Sequence, residues 1–275
     1  MQSCKLIIFN KIVRIDSQNT FIHEIVLKNY GAFNDNDCLN GTESTFSDLH
    51  YELKQGKDKL TYTIVRNKNK IIHCEDLGMF VYCLEKDMTI ELEKLCSSLF
   101  FLHGAALEKN GEVLLLTGRS GAGKSTTTWG LLNNGFNYLS DELAPVNLEL
   151  MHVTPYPHAV CLKKPPPLYP LPNDILKTNR TMHVPTALLP GDTHLKAFPL
   201  TKIIIVEFSA DNLNPELTNL SPASACMNIY SNGLNQLAHE NDGLTAASRI
   251  AENCECYSLA AASLDDTCEL IRALF

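Results

Sequence analysis

The chain has 275 residues, 45% hydrophobic and 20% charged, with a formal net charge of -8. That length suits one large domain or two modest ones; the acidic balance argues against nucleic acid as a partner, and the lack of an apolar run of ~18 residues argues against a membrane span. Ten cysteines lie between Cys4 and Cys268 with no CxxC pair, and the start MQSCKLIIFNKIVRI has too short an apolar stretch for a signal peptide, so free, mostly buried thiols in a cytoplasmic protein are expected.

Residues 1 to about 90 read as a β-rich N-terminal domain. KLIIFNKIVRI, FIHEIVL, KLTYTIV, KIIHC and MFVYCL are short runs of Ile, Val, Tyr and Phe separated by polar turns such as NDNDCLNGTES. The basic cluster from Lys57 to Lys70 reads as the solvated rim of two strands. Over residues 86–101, Met88, Ile90, Leu92, Leu95, Leu99 and Phe100 recur at near-helical spacing and predict a helix leading into a second domain, 91–275. From Leu102 onward strands and helices alternate, the pattern of a layered α/β domain. The Pro-rich stretch TPYPHAVCLKKPPPLYPLP and its continuation to Pro199 lack periodicity and predict an active-site flap or partly mobile loop. KIIIVEF then reads as a buried strand, PASACMNIYSNGLNQLA and GLTAASRIAEN as helices, CYSLA as a last strand and LDDTCELIRALF as a closing helix.

The sequence TGRSGAGKSTTT carries the chemistry. Gly118, Gly123, Lys124 and Ser125 satisfy GxxxxGK[ST], with the strand EVLLLT before and a helix from Thr126 after. Such a loop aims backbone amides at a polyphosphate, and the helix N-terminus adds partial positive charge. Gly118, Arg119, Ser120, Gly121, Ala122, Gly123, Lys124, Ser125 and Thr126 therefore form the expected nucleotide cradle, with Lys124 on the β- and γ-oxygens and Ser125 on Mg²⁺. Asn110-Gly111 predicts a two-residue hairpin that sets Lys109 opposite Glu112, Leu107 opposite Leu114 and His103 opposite Gly118. NYLSDEL predicts a parallel neighbour strand that delivers Asp141 and Glu142 to the same edge, where a carboxylate can hold Mg²⁺ or accept a hydroxyl proton. Glu207, ending KIIIVEF, is a rival Mg²⁺ ligand, and Arg180 on the Pro-rich segment is a candidate to close over a phosphate.

HGA, a hairpin, TGRSGAGKST, a short helix and NGFNYLSDEL together resemble the kinase core of the HPr kinase/phosphorylase family over about Leu102 to Val146. The resemblance is closer to its HPr-kinase-related members, which include lasso-peptide precursor kinases. It implies a fold similar to that of HPr kinase and phosphoenolpyruvate carboxykinase, ATP and Mg²⁺ as cofactors, Asp141 as base and His103 at the catalytic centre. It also implies a serine hydroxyl on a peptide or small protein as acceptor, and raises a homo-oligomer. Ser140 and Asp141 stand where bacterial HPr kinases have two successive aspartates, and their downstream signature is missing, which points away from HPr itself. A small-molecule kinase and a nucleotide-sensing regulatory ATPase module remain alternatives; an NKxD base-reading motif for GTP is not found after the loop.

Overall fold

The computed structural model describes residues 1–35 and 46–275; Cys38 and most of the polar stretch at 34–44 lie outside them. The fold is mixed α/β, with three sheets. The first half opens with β1 (Gln2–Ile8) and β2 (Lys11–Ser17), a hairpin turning on Phe9 and Asn10, whose φ values are 52° and 60°. Then follow α1 (Thr20–Tyr30), β3 (Leu49–Gln55), β4 (Tyr62–Arg66), β5 (Lys70–Cys74) and α2 (Leu77–Leu95). The strands form one sheet in sequential order, antiparallel except where α1 carries the chain from β2 to a parallel β3.

Two of the predicted strands are helices. FIHEIVL lies in α1 and MFVYCL in α2. Each helix begins at a capping side chain: Asn19 Oδ1 accepts from the Ile22 amide at 3.0 Å, and Asp76 Oδ1 accepts from the Met79 amide at 2.7 Å. A cap of this kind supplies a partner for an otherwise orphaned first-turn amide. Ile22, Ile25 and Val26 then fall on one buried face, as do Phe80, Val81, Leu84, Met88 and Leu92. The expected division at residues 90 and 91 falls inside α2, and Leu99 and Phe100 belong to the next strand rather than to the predicted helix.

The basic cluster is partly neutralised within the fold. Arg66 pairs with Asp87 at 3.1 Å and with Glu91 of α2, and Lys70 also reaches Asp87. Asp87 is buried and accepts a further bond from the Tyr51 hydroxyl at 3.0 Å.

The second half builds a larger sheet. Its elements are β6 (Leu99–Lys109), β7 (Glu112–Thr117), α3 (Lys124–Leu132), β8 (Asn137–Ser140), β9 (Leu143–Asn147) and β10 (His152–Val153). After these come β11 (Val160–Leu162), β12 (Leu176–Lys177) and β13 (Met182–Val184), then β14 (Phe198–Phe208), β15 (Glu216–Asn219), α4 (Pro222–Ser231), α5 (Leu244–Asn253), β16 (Glu255–Ala261) and α6 (Leu264–Arg272). The strand order is β10-β9-β6-β7-β14-β16-β15, with β8 also on β6. β7, β14 and β16 are parallel.

Side-chain alternation divides this sheet into two faces. Ala105, Leu107, Leu114, Leu116, Ile204 and Val206 pack with α3 and α6. Leu102, Ala106, Val113, Leu115 and Ile203 pack with α4 and α5. The two halves share a core, because Phe101, Leu143, Tyr156 and Leu176 join the apolar cluster of the first sheet.

The Pro-rich segment is not a simple flap. Its strands form a small sheet, β11-β13-β12, whose Val160, Leu162 and Val184 are buried against the α3 face. The Ala159 amide also donates to Asn29 O of α1 at 2.9 Å. The strands are two or three residues long, too short to show periodicity in the sequence. Among the described residues no helix is long and apolar enough to cross a membrane, and the nine described cysteines are free.

Candidate functional site

The β6–β7 hairpin sets one side of the site. Asn110 and Gly111 turn with φ of 54° and 85°, and Lys109 pairs with Glu112, Leu107 with Leu114 and Ala105 with Leu116. That register ends at Gly104 and Thr117, and the Thr117 hydroxyl donates to His103 O at 3.0 Å. His103 therefore lies beside the start of the Gly-rich turn, on the α3 face shared by Ala105 and Leu107.

The turn from Gly118 to Gly123 joins β7 to α3. At Gly118 φ is 139°, and a Cβ would stand 2.6 Å from Val206 O of β14, so only glycine lets the chain leave the sheet this close to its neighbour. Gly123 caps α3 without a side-chain hydrogen bond, and Ser125 and Thr126 lie in its first turn, half-buried. Arg119, Ser120 and Gly121 are exposed at the tip, with Ala122 half-buried. Lys124 is buried and curls back, donating to Gly118 O at 2.9 Å and Arg119 O at 3.3 Å.

β8 and β9 supply the opposing carboxylates. Both run antiparallel to β6 on the same side of it, with Ser140 opposite Ala106 and Leu143 opposite His103. Asp141 and Glu142 occupy the break between these two strands, where Gly104 N donates to Glu142 O at 3.3 Å. β7 and β8 are not the adjacent parallel pair that the sequence predicts: β6 lies between them. Because β6 is antiparallel to both, β7 and β8 still point the same way, and their carboxyl ends meet at one edge.

Glu142 Oε2 lies 3.3 Å from His103 Nε2, with the Glu142 side chain half exposed. Asp141 is 1% exposed, and its Oδ2 accepts from the Cys161 amide of β11 at 3.0 Å. Its Oδ1 has no hydrogen-bond partner in good geometry among the described residues, although the Ser125 hydroxyl is near enough to draw its pKa down. Burial dominates and, with the charge of Glu142, pushes the Asp141 carboxyl up to about 7. For Glu142, burial acts upward, but the hydrogen bond and charge of His103, then His158 and Lys124, leave the carboxyl below its usual value. Burial likewise lowers the Lys124 ammonium, opposed by Glu142 and Asp141 and reinforced by Lys163. His103, Lys124, Ser125, Asp141 and Glu142 thus sit within one electrostatic neighbourhood.

Glu207 and Arg180 lie elsewhere. Glu207 is exposed on β14 in alternation with Val206, so it shares a face with Ile203 and Ile205, away from α3. Arg180 packs against the first turn of α2, where a Cβ on Gly78 would meet its Cγ at 3.0 Å, and its charge bears on Asp76.

Two contributors carried no sequence signal. Lys163, just after β11, donates from Nζ to Ser120 Oγ at 2.9 Å and so places a second ammonium over the Gly-rich turn. The Cys161 amide holds Asp141 through backbone alone. Both come from the Pro-rich segment, and only the folding of β11 onto the α3 face brings them here. Lys163 was visible merely as part of Lys163-Lys164 before three prolines.

An edge with two ammonium groups, a helix N-terminus, a hydroxyl and two carboxylates of unequal acidity can bind a polyphosphate with a hard cation and accept a proton near neutral pH. Comparison with protein-family models and with curated protein sequences returned no match.

Proposed function

We propose that the protein is a cytoplasmic, ATP- and Mg²⁺-dependent kinase with an HPr-kinase-like P-loop core, moving the γ-phosphoryl group to a serine hydroxyl of a peptide or small protein. The observation that carries this reading is Asp141. It is a buried carboxylate with one oxygen fixed by a backbone amide and the other without a hydrogen-bond partner in good geometry among the described residues, at the same edge as Lys124 and Ser125.

In this reading Lys124 and the α3 N-terminus bind the β- and γ-phosphates, and Lys163 adds charge from the other side of the loop. The Ser125 hydroxyl and the Glu142 carboxylate are oxygen donors that fit Mg²⁺, with Asp141 beside them. The ion would offset charge on the phosphates during transfer. Asp141 Oδ1 accepts the proton as the acceptor oxygen bonds to the γ-phosphorus, while the bond from that phosphorus to the bridging oxygen breaks and ADP leaves. His103 holds Glu142 in place and lines the same edge. A pKa near 7 lets Asp141 be ionised before transfer and protonated after it.

The test is incubation with Mg-ATP and a set of serine-containing peptides, comparing wild type with Asp141→Asn. Removal of a general base is expected to slow transfer by roughly 10²- to 10⁴-fold. If the wild type phosphorylates no peptide, or the Asp141→Asn variant transfers at the wild-type rate, the proposal fails.

A further inference from the structure

A second polar cluster lies in the seam between the two halves, beside the proposed transfer site, whose Asp141 and Glu142 feel the charge of His158. Glu85 projects from α2, His158 precedes β11 and His183 lies on β13. Glu85 Oε1 is 3.1 Å from His158 Nε2 and 3.5 Å from His183 Nδ1, and one ligand-capable atom from each residue lies within 4.8 Å of the others. The two imidazoles are 2% and 1% exposed, while the Glu85 side chain is 22% exposed and opens the cluster to solvent.

Two details go beyond an ion pair. His183 Nδ1, which faces Glu85, is buried without a hydrogen-bond partner among the described residues, an arrangement that costs free energy unless something occupies its lone pair or proton. Its other ring nitrogen, Nε2, lies 2.7 Å from the Thr181 hydroxyl. A metal-ligating histidine commonly has such an outer partner on its second nitrogen, which fixes the tautomer and orients the ring. The two separations from Glu85 Oε1, 3.1 and 3.5 Å, also suit a common centre, since tetrahedral zinc at 2.0–2.2 Å from nitrogen and oxygen ligands spaces those ligands roughly 3.3 Å apart.

We infer that Glu85, His158 and His183 form a binding site for a borderline divalent cation of the Zn²⁺ type, with Thr181 as a positioning residue. Two imidazoles and one carboxylate favour zinc over magnesium, which takes oxygen ligands. Three protein ligands leave a fourth position for water. The site would join α2 of the first half to β11 and β13 of the second. Cys161 stands directly opposite His183 across the β11–β13 ladder, and its amide holds Asp141. A cation here would therefore brace the backbone that positions the proposed base.

The test is titration of metal-stripped full-length protein with Co²⁺ as an optical probe and Zn²⁺ as competitor, in excess Mg²⁺. The expected result is one equivalent of Co²⁺ with the visible absorption of a low-coordinate nitrogen and oxygen site, displaced by Zn²⁺ and retained in Lys124→Ala. His183→Ala should weaken binding by roughly 100-fold, and Thr181→Val, which preserves side-chain shape, by roughly 10- to 100-fold. Circular dichroism checks that both variants fold. No Co²⁺ spectrum in the wild type, or an unchanged affinity in both variants, overturns the inference. Neither result depends on whether the protein transfers phosphate.

Discussion

Asp141→Asn separates what stabilises the fold from what performs the proposed reaction. The Asp141 carboxyl is pushed up from 3.8 to about 7, chiefly by burial. Below about pH 4 both the folded and the unfolded chain carry it protonated. As pH rises above that, the unfolded chain ionises while the folded one does not, so Asp141 lowers stability progressively until about pH 7, where the folded state ionises too and the penalty levels off. Between pH 5 and pH 8 the penalty grows by about two pKa units at ~1.4 kcal/mol each, about 3 kcal/mol.

An asparagine carries no charge at either pH, and its packing cost is the same at both. Its stability relative to wild type should therefore improve by about 3 kcal/mol between pH 5 and pH 8, a relative Tm gain of roughly 6–12 °C for a chain of this size. Thermal unfolding of both proteins at the two pH values, without nucleotide, measures this directly. If the stability difference between them does not change with pH, Asp141 does not carry a buried, destabilising charge and the basis for choosing it as base is lost.

Lys124→Ala removes the ammonium that lies along the Gly-rich turn, and calorimetry should show ATP affinity lowered by roughly 10- to 100-fold. Gly118→Ala places a Cβ 2.6 Å from Val206 O at a φ of 139°; urea unfolding should show a loss of more than about 2 kcal/mol. Arg66→Met removes a cation from Asp87 and Glu91 but leaves Lys70 and the Tyr51 hydroxyl on Asp87. Its cost should be about 2 kcal/mol by the same measurement, below that of a buried carboxylate left with no partner.

The edge that gathers Lys124, Ser125, Asp141 and Glu142 is legible in the sequence because its elements follow strong local rules. Asn110-Gly111 fixes a hairpin register, and that register alone sets His103 beside the turn. GxxxxGK[ST] between a strand and a helix locates Lys124 and Ser125. The expected β7–β8 pairing is wrong, yet it puts Asp141 and Glu142 at the edge where they lie: two strands either side of β6 share a direction just as adjacent parallel strands do.

In the first half, short apolar runs do not distinguish strand from helix. FIHEIVL and MFVYCL have the composition of strands, and only Asn19 and Asp76, each bonded to an amide three residues on, mark them as helix starts. The β11-β13-β12 sheet was hidden for another reason. Its stability comes from packing Val160, Leu162 and Val184 on a face built by distant residues, so nothing local announces it. Lys163 and the Cys161 amide were lost with it, as was the convergence of Glu85, His158 and His183.

The most direct measurement is mass spectrometry of a serine-containing peptide pool after incubation with Mg²⁺ and ATP labelled with heavy oxygen in its γ-phosphoryl group. Peptides carrying the labelled phosphoryl group are expected in the wild-type reaction, with a roughly 10²- to 10⁴-fold lower yield for Asp141→Asn. Labelled inorganic phosphate with no labelled peptide would contradict it.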